Sequence, residues 1–108
     1  MIDPRKILET KLASIHGVQL ALYKDTDLLV AHYNDREFAH FHNQPTEIDI
    51  RVPTKFAKRH KLDEAYTSPN HPNRSKKSIW RVFPYSSEAD VTHIVTLVKH
   101  LLDEEYNG

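Results

Sequence analysis

The stretch Leu28-Leu29-Val30-Ala31-His32-Tyr33-Asn34-Asp35-Arg36-Glu37-Phe38-Ala39-His40-Phe41-His42-Asn43-Gln44-Pro45-Thr46-Glu47-Ile48-Asp49-Ile50-Arg51-Val52 decides the fold. Three runs rich in β-branched and aromatic residues, 28–33, 37–42 and 47–52, are separated only by the turn-forming Asn34-Asp35 and Asn43-Gln44-Pro45. Connections this short join antiparallel neighbours, because a parallel crossover needs a dozen residues or more. With Asn34-Asp35 as a two-residue turn, Tyr33 stands opposite Arg36, His32 opposite Glu37 and Leu29 opposite His40. A symmetric closure around Gln44-Pro45 sets His42 against Glu47 and His40 against Asp49.

Alternation of side chains then sorts the residues onto two faces. Leu28, Val30, Ala39, Phe41, Ile48 and Ile50 form an apolar face, to which Val18, Leu20 and Leu22 add if the first hairpin loop has an odd length. Tyr23, Leu29, Tyr33, Arg36, Phe38, His40, His42, Glu47, Asp49 and Arg51 form a polar and aromatic one.

Outward from this core stretch, Val18 to Tyr23 reads as a preceding strand and Ile79 to Phe83 as a fifth, stopped by Pro84. A helix begins at Asp3-Pro4, a capping residue followed by a proline in the first turn, and Gly17 is expected to end it. Pro53-Thr54 opens a short helix reaching His60. Ser87, with Asp90 three residues later, caps a last helix whose Val91, Ile94, Val95, Val98, Leu101 and Leu102 make one apolar stripe. The expected fold class is α+β, a two-layer sandwich with a mainly antiparallel sheet of five strands and helices packed on one face.

At 108 residues the chain makes a single domain, 1–108. It has no cysteine, which excludes disulfides, thiolate metal sites and cysteine nucleophiles. Two glycines, Gly17 and Gly108, leave no glycine-rich phosphate loop. No apolar run approaches the ~20 residues of a membrane span, and the first ten residues read as a helix start instead of a signal peptide, so a cytoplasmic location is expected. The segment Arg51 to Arg81 carries nine basic residues against Asp63 and Glu64, yet the net charge of the whole chain is zero, which argues against a nucleic-acid partner.

The chemistry concentrates on the polar face. His40 and His42 stand two apart on one strand, placing both imidazoles on one side, each opposite a carboxylate. Three readings are open. The pairs stabilise an exposed sheet face and do nothing more, for a few tenths to about 1 kcal/mol. The face binds a small ligand, with His40, His42 and Asp49 as polar anchors, Arg36 and Arg51 holding charge, Tyr33 and Phe38 as floor, and His71 and Trp80 nearby. Or the site is enzymatic, with His40 as general base oriented by Asp49 and with Glu37 beside it, or with a metal on His40, His42 and Asp49. A protein-interaction module, monomeric or paired as a homodimer through the open face, is the further alternative.

The order of motifs adds a resemblance. Glu37-Phe38-Ala39-His40-Phe41-His42, then Glu47-Ile48-Asp49-Ile50, His71-Pro72, Ser78-Ile79-Trp80 and a capped helix from Ser87 to Tyr106 together resemble the luciferase-domain family of small bacterial and fungal proteins. The resemblance covers about Ile7 to Tyr106. It implies that Glu37, His40, His42, Asp49, His71 and Trp80 act as a group, and it supplies no reaction.

Overall fold

The computed structural model describes residues 3–43, 46–62 and 79–107. The elements run α1 (Pro4–Ala13), β1 (Val18–Leu22), β2 (Leu29–Tyr33), β3 (Arg36–His42), β4 (Glu47–Arg51), α2 (Thr54–Arg59), β5 (Trp80–Pro84) and α3 (Glu88–Leu101), the last continuing as a π-helical turn over Leu102–Tyr106. The five strands lie in the order β1-β2-β3-β4-β5 with every neighbour antiparallel. For β1 to β4 this is the meander that the short connections require, while β5 pairs with β4 although residues 52–79 separate them in sequence. Asn34 and Asp35 both take positive φ, at 49° and 68°. That is the primed two-residue turn whose twist suits a hairpin.

The helix ends are set by local chemistry. The Asp3 carboxylate accepts from Arg5 N–H at 3.0 Å, and Pro4 occupies the first turn of α1. The helix stops at Ala13, earlier than a glycine cap would place it. Gly17 instead turns the chain into β1 with φ at +91°, and a Cβ there would meet Cε1 of Tyr33 at 2.8 Å. In α3 the Ser87 hydroxyl accepts from Asp90 N–H at 3.2 Å, and Asp90 accepts from Ser86 N–H at 2.9 Å. The bond from the Ser86 backbone holds the Asp90 carboxyl below its usual range.

A single apolar cluster joins the helices to one face of the sheet. Leu8 and Leu12 of α1, Phe56 of α2, and Val91, Ile94, Val98 and Leu101 of α3 meet Ala31, Ala39, Phe41, Ile48 and Ile50. Val18 joins the cluster and Leu20 packs against it, while Leu22, expected with them only for an odd hairpin loop, is 59% exposed at the end of β1, where it pairs with Leu29 across the even stretch 23–28. Among the described residues no helix is long and apolar enough to cross a membrane.

The register departs from expectation at one point. Tyr33 pairs with Arg36 and His32 with Glu37 as expected, but Ala31 pairs with Ala39 and Val30 with His40. Phe38 is therefore an extra residue in β3, a β-bulge. Beyond it, β2 presents faces opposite to those that simple alternation assigns. Leu29, Ala31 and Tyr33 lie with the core, and Val30 lies beside His40 on the other face.

One core residue gives a pH-dependent prediction. Tyr85 is 3% exposed, and its hydroxyl has no hydrogen-bond partner among the described residues. Burial pushes its phenol up to about 12. Because the folded pKa is the higher one, this group's contribution is complete below pH 10 and is lost as pH rises through 12. Tyr85→Phe is expected to remove an alkaline destabilisation of about 1.4 kcal/mol at pH 11 and to change stability at pH 7 by about 1 kcal/mol or less. Urea unfolding of both proteins at pH 7 and pH 11 checks this. An equal alkaline loss in both would refute it.

Candidate metal centre

The sheet face away from the helices carries a row of side chains that crosses four strands. Val30 pairs with His40, His40 with Asp49, and Asp49 with Val82. The next row along the strands holds His42, Glu47 and Pro84. Val30 and Val82 are buried without belonging to the helix-covered cluster, and Asp49 and Glu47 have no exposed surface. This second face is thus a closely surrounded polar site between apolar flanks.

Its geometry is specific. His40 Nε2 lies 3.0 Å from Asp49 Oδ2, and His42 Nδ1 lies 2.7 Å from Glu47 Oε1. The two imidazole centroids are 5.5 Å apart. His40, His42 and Asp49 each offer one ligand atom, all within 4.8 Å of one another. Donors sharing a tetrahedral ion at 2.0–2.1 Å stand roughly 3.3 Å apart. Nδ1 of His42 is engaged by Glu47 Oε1. Metal-binding histidines commonly hold a carboxylate with the other ring nitrogen, which fixes their tautomer and orientation.

Around this triad, the Trp80 ring lies 5.0 Å from that of His40, and Glu37 Oε1 is 3.5 Å from His40 Nδ1. The structure therefore brings together Glu37, His40, His42, Asp49 and Trp80. His71 lies outside the described residues.

Four residues expected on the ligand face, Phe38, Tyr33, Arg36 and Arg51, are engaged elsewhere. Phe38 is fully buried in the helix-side cluster, with its ring 6.2 Å from Tyr106. Tyr33 belongs to the same cluster and donates its hydroxyl to Asn107 Oδ1 at 2.6 Å. The Arg36 guanidinium sits 4.4 Å over the Tyr106 ring. Burial raises the Tyr106 phenol, and the positive charges of Arg51 and Arg36 beside it oppose that rise. The bulge at Phe38 and the π-helical turn that delivers Tyr106 account for these placements. Neither feature is signalled by alternation.

Glu47 was legible as the residue opposite His42, and the structure makes it that ring's close partner. Val30 was missed because the bulge decides which face it occupies, and Val82 because no turn fixes the register of the fifth strand. A groove of about 520 Å³ near the start of α3, lined by Thr46, Pro84, Tyr85, Ser86 and Asp90, includes none of the triad. No family model, no curated protein and no solved structure matches this chain.

Proposed function

We propose that the protein binds one divalent transition-metal ion through His40, His42 and Asp49 and uses the ion's remaining positions to hold a small polar molecule. The observation that carries this reading is the convergence of three ligand atoms within 4.8 Å, with one of the two rings already set by a buried glutamate. Two imidazoles and one carboxylate suit zinc, iron or cobalt better than calcium or magnesium, which prefer all-oxygen shells. Three protein ligands also leave room for a fourth, as catalytic sites do and structural zinc sites do not. A bound carbonyl or water would be polarised there, so the reading extends to an enzyme of the Lewis-acid class.

The resemblance to the luciferase-domain family groups Glu37, His40, His42, Asp49, His71 and Trp80, and this reading is in keeping with it for all but His71, which lies outside the described residues. A second reading is a metal-free acid–base dyad, favoured by the 3.0 Å contact between His40 Nε2 and Asp49.

Cobalt(II) separates the two. The metal reading predicts visible d–d absorption that saturates at one equivalent and changes when azide or acetohydroxamate is added. Absence of these bands would leave the dyad. Bands that ignore both ligands would deny the open position.

A further inference from the structure

The bulge in β3 has a chemical consequence at His40. Residues three apart on a regular strand are about 10 Å from each other and point to opposite faces. Glu37 and His40 are three apart, yet Glu37 Oε1 lies 3.5 Å from His40 Nδ1. The extra residue Phe38 makes this possible. It leaves Glu37 paired with His32 and His40 paired with Val30, so both side chains emerge on the same face. Bulges commonly re-aim side chains next to functional sites in this way.

The ring nitrogen that Glu37 approaches is buried and has no hydrogen-bond partner among the described residues. On the same strand, His42 shows the completed version, with Nδ1 on Glu47 Oε1 at 2.7 Å. Nδ1 and Nε2 lie on different edges of an imidazole. A carboxylate at Nδ1 therefore acts on the ring's orientation and leaves Nε2 to coordinate. The Glu37 side chain is 39% exposed, free to close the remaining distance without disturbing the core.

We infer that Glu37 is a positioning residue of the metal site: it accepts the Nδ1–H of His40 when an ion occupies Nε2, and the β3 bulge exists to bring it there. This inference rests on the metal reading above. It makes His40 and His42 a matched pair, each held by a glutamate at Nδ1 and turned toward a shared ion at Nε2.

The test compares wild type, Glu37→Ala and Glu37→Gln by zinc titration calorimetry, by thermal melting without metal, and by two-bond ¹H–¹⁵N correlation spectra of the histidine rings with zinc. Wild type should show His40 as the Nδ1–H tautomer. Glu37→Ala should bind zinc 10- to 100-fold more weakly, the range for outer partners of metal ligands. Its metal-free melting temperature and its His42 signals should stay unchanged. Glu37→Gln, whose amide oxygen still accepts a hydrogen bond, should recover part of the affinity. Unchanged zinc affinity and His40 tautomer in Glu37→Ala would overturn the role of Glu37 and leave the metal site standing. So would a loss matched by an equal fall in melting temperature and shared by Glu37→Gln. Failure of wild type to bind zinc would overturn the metal reading itself, and this inference with it.

Discussion

Asparagine in place of Asp49 is expected to lower zinc affinity by more than about 100-fold, since loss of even an outer partner costs 10- to 100-fold and the proposed site uses Asp49 as a direct ligand. The substitution preserves shape and keeps a hydrogen-bonding group 3.0 Å from His40 Nε2, so the sheet is not expected to rearrange. It removes the negative charge and turns one acceptor oxygen into an NH2 donor. Asp49 has no exposed surface, and its charge lies in a setting where water screens little. A cation placed among His40, His42 and Asp49 is therefore bound strongly through that charge, and neutral asparagine offers a much weaker oxygen. Titration calorimetry on both proteins, with circular dichroism to confirm the fold, measures the difference. Equal affinities would remove Asp49 from the ligand set.

The largest expected effect on stability lies on the other face of the same sheet. Phe41→Ala should cost about 3–5 kcal/mol, the range for deleting a buried phenyl ring. Phe41 is fully buried, pairs with Ile48 across β3 and β4, and lies under the Arg5 guanidinium at 5.5 Å. A loss of that size is a large share of the 5–15 kcal/mol that domains typically hold. Leu22→Ala, at a 59% exposed position, should change stability by about 0.5 kcal/mol or less. Urea unfolding of both variants provides the comparison. A small effect at Phe41 would contradict the assignment of the helix-covered face.

These two residues also show how much was legible in advance. Glu47-Ile48-Asp49-Ile50 alternates cleanly, and Ile48 and Ile50 lie inside the helix layer with Asp49 on the other face, as the pattern demands. The pairing of His40 with Asp49 and of His42 with Glu47 followed from the turn alone. Periodicity could not reveal the bulge at Phe38, because one inserted residue keeps the composition of the strand while reversing faces beyond it. Tyr33, expected with the histidines, is therefore buried with the helices, and Val30, expected in the core, flanks His40. The π-helical turn at the end of α3 was equally hidden. The apolar stripe of α3 predicts a helix and says nothing of the extra residue in its last turn, which carries Tyr106 to Tyr33, Phe38 and Arg36. The site was readable where it depends on strand pairing across a tight turn and unreadable where a single backbone irregularity sets direction.

Zinc content after equilibrium dialysis is the measurement closest to the central claim. Wild-type protein dialysed against a small excess of zinc should retain one ion per chain, released by a strong chelator, while Asp49→Asn dialysed alongside it retains almost none. Wild-type protein emerging without zinc, or the two proteins retaining the same amount, would contradict a metal centre on His40, His42 and Asp49.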